Sequence, residues 1–299
     1  MTHVATLISS PGAAALDAAA LARARATLPS PGEPRWLAER IAADLPFSPT
    51  NEADNRTWAE RLRDSLAGRP IDVVVQPNED RRKRLLVADM DSTMIGQECI
   101  DELAARVGLK ARVAAITERA MRGDIAFEPA LRERVALLSG LPVSVVADVI
   151  AERIRLTPGG STLVATMRAN GAHTCLVSGG FTLFSERIAA MIGFDENRAN
   201  RLVVAHGRLA GRVEEPILGR EAKLATLNDL TTRLGLAPAA TLAVGDGAND
   251  LAMLVAAGLG VAYHAKPLVA AQAHARIDHG DLTALLYLQG YRREDFAPV

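Results

Sequence analysis

Cysteine is scarce in this chain of 299 residues: only Cys99 and Cys175 occur, in different segments and without CxxC spacing. That argues against a disulfide framework or a thiolate metal site, and both are expected to be small buried residues. Neither sign of charge is in excess. The 34 basic and 35 acidic residues give a formal net charge of -1 and a pI near 6.6. Without a basic footprint the chain has little to offer nucleic acid or anionic lipid, so the expected partner is a small solute. Long apolar runs are also missing. The stretch 251–263 is broken by glycines and is too short to span a bilayer, and MTHVATLISSPG lacks the basic and apolar regions of a secretory signal. A cytoplasmic protein that does not engage membranes is expected. The six histidines show no HxH or HExxH spacing, which sets aside a histidine metal centre. The nucleotide-type phosphate loop GxxxxGK[ST] does not occur either.

What is present is an ordinary globular composition, 49% hydrophobic and 23% charged, in a chain long enough for two domains. Residues 4–9 and 71–76 read as strands, and 13–27 and 57–66 as helices, the first closed by Pro29 and Pro31. Residues 36–47 fit strand or helix equally. Residues 1–80 are therefore expected to form a small N-terminal α+β domain, and the charged run 78–84 a solvated linker. Residues 81–299 read differently. LLVAD at 85–89 is a short apolar run ending in a carboxylate, the pattern of a central parallel strand. HTCLVS at 173–178 and TLAVG at 241–245 repeat the design, each after a helical segment and a turn signal. The fold class expected is α/β, a doubly wound parallel sheet, with ligands bound beyond the carboxyl ends of its strands. Residues 98–155 are rich in helix formers without a strand-like run, and are expected to form a helical cap over those ends. Residues 202–213, with Gly207 and Gly211 at bends, resemble a projecting hairpin.

The polar residues fall at the strand ends. In Asp89-Met90-Asp91-Ser92-Thr93 the two carboxylates at i and i+2 of an extended segment point the same way. Two anions that close call for a divalent cation or a shared proton. Asp246-Gly247-Ala248-Asn249-Asp250, at another strand end, adds hard oxygen ligands, and Mg2+ suits such a set. GDGAND nearly satisfies the dinucleotide pattern GxGxxG, but Asp250 replaces the third glycine and Asp246 would face a pyrophosphate. A carboxylate nucleophile that accepts a phosphoryl group is the better account.

Taken in order, DxDxT at 89–93, Ser178 at a later strand end, Lys223 in a helix and GDGxxD at 245–250 resemble the four motifs of the haloacid dehalogenase superfamily. The resemblance implies a HAD-like core in which Asp89 is the nucleophile and Asp91 the general acid and base. Magnesium would be held by Asp89, the main-chain carbonyl of Asp91 and Asp246, with Asp250 in an outer position. Ser178, Gly179, Lys223 and Asn249 would bind the phosphate. Glu98 and the segment MRGDIAFEPALRERVALL at 121–138 are similar to the cap of the phosphoserine phosphatase family within that superfamily. This implies that Glu98 meets a substrate ammonium and Arg134 a carboxylate, while Met121 and Phe127 cover the ligand and exclude water. Arg132, two residues from Arg134, points to another face of the helix. The implied reaction is hydrolysis of O-phospho-L-serine to L-serine and phosphate, the last step of serine biosynthesis. The alternative keeps the core chemistry but uses another small phosphomonoester, or passes the phosphoryl group to another acceptor. Residues 1–80 resemble an ACT-like regulatory extension, for which homodimerisation, regulation and packing all stay open.

Overall fold

The structure is a computed structural model that describes residues 1–49, 53–122 and 124–299, except for the side chain of Met121. The N-terminal unit runs β1 (His3–Ser9), α1 (Ala18–Thr27), β2 (Arg35–Ala38), β3 (Ala42–Phe47), α2 (Asn55–Ser65) and β4 (Ile71–Pro77). Its sheet has the order β2-β3-β1-β4 with every pairing antiparallel, the split βαβ arrangement of ferredoxin-like folds. The ambiguous segment 36–47 is thus two strands, turned at Arg40 with φ +61°. Helix α1 begins at Ala18 rather than near residue 13. The Asp17 carboxylate accepts the Ala20 N–H at 2.7 Å, and that cap outweighs the helix propensity of the preceding alanines. Leu21 and Ala24 of α1 and Trp58 and Leu62 of α2 bury against Leu7, Leu45, Phe47 and Val73 of the sheet.

The second unit opens with β5 (Leu85–Asp89) and the cap helices α3 (Cys99–Arg106), α4 (Lys110–Met121), α5 (Phe127–Ala136) and α6 (Ser144–Glu152). Next come α7 (Gly160–Ala169), β6 (His173–Phe181), α8 (Thr182–Ile192), β7 (Glu196–Asn200), β8 (Leu202–Ala205) and β9 (Arg208–Val213). The chain ends with α9 (Arg220–Arg233), β10 (Thr241–Gly245), α10 (Leu251–Ala256), β11 (Leu259–Tyr263), α11 (Pro267–Gln272), β12 (Ala275–Ile277) and α12 (Ala284–Leu288). The six-stranded sheet has the order β12-β11-β10-β5-β6-β7, parallel throughout. Every residue of β5 and β10 is buried, as expected of central strands covered on both faces. From β5 the order grows towards β7 in one direction and, from β10, towards β12 in the other. The switch point lies between these two strands, where doubly wound sheets place their ligands. Ala88 pairs with Val244 across it, so Asp89 and the Asp246 loop leave the sheet side by side.

The cap is held at two places. Its two ends meet in an antiparallel bridge between Ile95 and Leu156. Its far side is stitched to the β8–β9 hairpin by Gly140 N to Leu209 O (2.8 Å), Leu209 N to Leu141 O (2.8 Å) and Val143 N to Gly207 O (3.0 Å). His206 and Gly207, at φ +51° and +71°, make the hairpin turn, the two positive values that a type I′ turn requires. Gly211 lets the strand approach: a Cβ there would lie 2.8 Å from Ser139 Cβ.

The segment 78–84 is not the solvated linker its charges suggest. Burial alternates along it, with Arg81, Lys83 and Leu85 inside and Arg82 and Arg84 outside, the period of an extended chain packed on one side. The Arg81 guanidinium donates to both oxygens of Asp44 (2.7 and 3.1 Å), to Thr6 Oγ1 (3.1 Å) and to the carbonyls of Tyr287 and Leu288 (both 3.0 Å). Gln76 Nε2 reaches Leu288 O (2.7 Å), and the Lys83 amide reaches Gln289 Oε1 (3.0 Å). These bonds lock the N-terminal sheet onto the second unit. Among the described residues no helix is long and apolar enough to cross a membrane.

Candidate active site

Asp89 is the last residue of β5, and the chain then turns tightly through Met90–Met94, closed by Ile95 N to Met90 O at 3.0 Å. Within the turn Ser92 adopts φ +56°. That left-handed conformation is costly for a residue with a Cβ, and such strain is typical of segments over-determined by their surroundings. The turn directs Asp91 towards the cavity, where Oδ1 accepts the Cys99 amide (2.8 Å) and Oδ2 the Ser178 hydroxyl (3.2 Å). Cys99 N is one of the unpaired amides that open a helix, here α3. Burial pushes the Asp91 carboxyl up, against the pull of those two donors. Asp91 is thereby suited to hold a proton.

Behind Asp89 lies a buried cation. Lys223, in the first turn of α9, places Nζ 2.6 Å from Asp89 Oδ1 and 2.6 Å from Asp250 Oδ1. Asp250 Oδ2 accepts the Gly247 amide at 2.9 Å, so both its oxygens are engaged. Burial alone would lower the Lys223 pKa, but the two carboxylates more than offset it and hold the ammonium charged. Burial also raises Asp89 well above the usual carboxylate range, opposed chiefly by Lys223. Asp246 is raised by burial and then by the charge of Asp250, and its Oδ1 accepts the Thr93 hydroxyl at 3.2 Å. Carboxylate oxygens of Asp89, Asp246 and Asp250 lie within 4.8 Å of one another. This hard oxygen donor set suits a divalent cation. Because Asp250 is tied to Lys223 and Gly247, Asp89 and Asp246 are the two with oxygens free for the ion.

A cavity of about 200 Å³ opens above these groups. Its floor is Asp89, Asp91, Ser178 to Gly180, Asp246, Gly247 and Asn249, and its cap side is Glu98, Ile100, Phe127, Leu131 and Arg134. Ser178 accepts the Gly180 amide (2.8 Å), and Asn200 ties Gly179 O to the Leu218 loop through bonds of 2.9 and 3.1 Å. Phe127, the first residue of α5, reaches across the opening. Its ring lies 3.7 Å from where a Cβ would stand on Gly179, and equally far from one on Gly219. Of the two arginines on α5, Arg134 lines the cavity, whereas Arg132 turns outward to pair with Glu128 and Glu215. Glu98 accepts the Ser92 hydroxyl at 2.8 Å. It is reached by solvent through the mouth but walled by protein, and that burial, aided by Asp91, pushes its carboxyl up to about 7. Met121 closes α4, and its side chain lies outside the described ones.

Sequence reasoning missed several contributors. Lys266, just before α11, lines the cavity and draws the Asp246 carboxyl down against the groups that raise it. Its only sequence signal is its place shortly after the apolar run 259–263, another strand end. Ile100 and Leu131 give no signal beyond apolarity. The Cys99 donor is a backbone amide, and such donors carry no residue identity.

Residues 86–255 match the model of the haloacid dehalogenase-like hydrolase family. The chain belongs to that family. A phosphoserine phosphatase of Polaromonas sp. is 48% identical over 210 residues, which cover 69% of this chain and 89% of that protein. One of Streptomyces coelicolor is 43% identical over 259 residues, covering 85% of this chain and 63% of that protein. One of Mycobacterium tuberculosis is 46% identical, and the match spans only 52% of its length. Among solved structures, a HAD family hydrolase of Salmonella enterica superposes with a TM-score of 0.85 at 29% identity, covering 96% of this chain and 98% of that one. A substrate-bound phosphoserine phosphatase complex gives 0.63 at 38% identity, covering 69% of this chain and 98% of its own. The family match spans residues on both the floor and the cap side of the cavity.

Proposed function

We propose that this chain is a magnesium-dependent phosphoserine phosphatase that hydrolyses O-phospho-L-serine through an aspartyl phosphate on Asp89. One observation carries the reading: Glu98 and Arg134, of opposite charge, face a single small cavity whose floor is Asp89, Asp91 and Ser178. A zwitterionic amino acid needs an anion for its ammonium and a cation for its carboxylate, and arginine grips a carboxylate through two parallel bonds. The names of the relatives support the same substrate.

In the first step Asp89 attacks phosphorus and the bond to the seryl oxygen breaks. Lys223 and the Met90 amide both bind Asp89 Oδ1, which holds the carboxylate in place for the attack. Asp91 delivers its proton to the departing seryl oxygen, which a carboxyl raised by burial is able to hold. In the second step water attacks the aspartyl phosphate, Asp91 takes the proton of that water, and phosphate leaves with Asp89 restored. Lys223, Ser178, Asn249 and the Gly179 amide offset charge on the transferring oxygens, the dominant electrostatic contribution in such reactions. Ser178 must release Asp91 to do so. Asp89, Asp246 and the Asp91 carbonyl would hold Mg2+, which would supply Lewis-acid polarisation and neutralise part of the developing charge. Phe127 and Leu131 exclude water, which strengthens every electrostatic contact inside.

The test is phosphate release from phosphoserine, phosphothreonine, sugar phosphates and nucleotides, each with and without magnesium. Preference for phosphoserine, lost on chelation, is expected. Efficient turnover of other esters with phosphoserine untouched would replace the substrate, and appearance of phosphate on an added alcohol would replace the acceptor.

A further inference from the structure

A second cleft lies where the N-terminal unit meets the edge of the parallel sheet. Its volume is about 330 Å³, and it is walled by Val73 and Val75 of β4, Ala59 of α2, and Pro267 and Ala270 of α11. Neither the core motifs nor the cap uses it. Three guanidinium groups line it from both units: Arg56 and Arg63 on α2, and Arg276 on β12.

The three cations are only partly satisfied by the chain and leave donors over. Arg56 Nη2 donates to Ala273 O at 3.2 Å, and Arg63 Nη2 to Val73 O at 2.7 Å. Arg276 Nε lies 3.1 Å from Asp278 Oδ2 but out of line, so this buried nitrogen has no hydrogen bond among the described residues. His274, also on the wall, accepts the Gly260 amide at Nδ1 (3.0 Å), which puts its proton on Nε2. The facing acids are few. Glu60 stands 3.5 Å from Arg63 with 60% of its side chain exposed, and Asp278 is the other. Asp72 is already taken, accepting the Asp278 and Gly280 amides at 2.8 and 2.7 Å. The Arg63 guanidinium is pushed down by its burial and then by the charge of Arg276. Arg63 and Arg276, each with a single carboxylate at ion-pair distance (Glu60 at 3.5 Å and Asp278 at 3.1 Å), thus repel each other across the cleft, a repulsion that a bound anion would relieve.

We propose that this cleft binds a small oxyanion, a carboxylate or a phosphate, between Arg63 and Arg276. Planar guanidinium groups match both chemistries through paired N–H donors, and the alanine, valine and proline walls accept a short hydrocarbon body. The ligand bridges the two units, because its partners come from α2 on one side and β12 on the other. It also touches the catalytic cavity indirectly: α11 forms one wall of the cleft, and Lys266, the residue before it, lines the active site.

The experiment uses the full chain without substrate or magnesium, titrated by calorimetry with inorganic phosphate and, separately, with propanoate. The same titrations are run on Arg276→Met and Arg63→Met. A binding event for at least one anion is expected in the wild type, weakened about 10- to 100-fold in either variant, the worth of a charge-assisted contact. A response to phosphate alone or to propanoate alone identifies the source, and both support the site. Binding of each anion unchanged by the substitutions, or no binding, overturns it. Should a variant fail to fold, the Arg276 Nε–H resonance of the wild-type chain decides: it moves on titration if the site is real and stays fixed if it is not. Neither readout needs turnover, so an inactive chain would overturn the proposed reaction and leave this inference standing.

Discussion

Lys223 Nζ stands 2.6 Å from an oxygen of Asp89 and 2.6 Å from an oxygen of Asp250, all three groups being buried. One cation thus holds Asp89 and the second acidic loop together. Lys223→Met leaves two buried carboxylates facing each other, which costs about 3–5 kcal/mol. It also removes a charge from the transferring phosphate, worth about 10²–10³ in kcat. Thermal unfolding with and without magnesium checks the first part: the variant is expected to gain more from the ion than the wild type does.

Arg134 and Arg132 lie two residues apart, one on the cavity wall and one in outer ion pairs with Glu128 and Glu215. Arg134→Ala is expected to lower kcat/KM for phosphoserine about 10- to 100-fold while changing a simple phosphate ester little. Arg132→Ala should stay within about twofold on both, as surface changes do. Equal losses on the two esters for Arg134→Ala would remove the carboxylate role.

Glu98, raised to about 7, gives a pH signature. An acid with a raised pKa is protonated below it, and only the ionised form attracts an ammonium. The ratio of kcat/KM for phosphoserine to that for 4-nitrophenyl phosphate should therefore fall as pH drops below about 7, approaching tenfold per pH unit. Taking the ratio cancels the ionisations of the free enzyme that act equally on both substrates. A flat ratio between pH 5 and 8, two illustrative limits around that value, would place the ammonium elsewhere.

Arg81 is 7% exposed, and its guanidinium bridges Asp44 and Thr6 of one unit to Tyr287 and Leu288 of the other. Arg81→Met partly strands the buried Asp44 carboxylate, which keeps Arg35 at 2.9 Å and the Thr6 hydroxyl at 2.8 Å, and should cost at most about 3–5 kcal/mol in urea unfolding. Adding Asp44→Leu removes the stranded charge, so the double variant is expected to be more stable than the single one.

How far these features were legible follows from their range along the chain. Strand ends were readable because a buried parallel strand is a continuous apolar run, and what ends it at Asp89 and Gly245 is polar or glycine. The order of the carboxylate, serine, lysine and second acidic loop was readable for the same reason. The start of α1 was not: Asp17 had to be recognised as a cap against the four helix-favouring residues before it, Ala13 to Leu16. The role of 78–84 was hidden because its partners, Asp44 and the carbonyls at 287 and 288, lie far away in sequence. The docking of the hairpin on the cap rests on backbone bonds between 207–209 and 140–143, and backbone groups are the same in every residue.

The most direct test of the account is whether a phosphoryl group passes through Asp89. The enzyme is mixed with phosphoserine and magnesium, quenched in acid within milliseconds, digested and weighed by mass spectrometry. The account predicts one phosphoryl group on the peptide carrying Asp89, absent from Asp89→Asn, whose phosphate release falls about 10⁴-fold or more. Undiminished phosphate release by Asp89→Asn, or phosphate trapped on another residue, would contradict it.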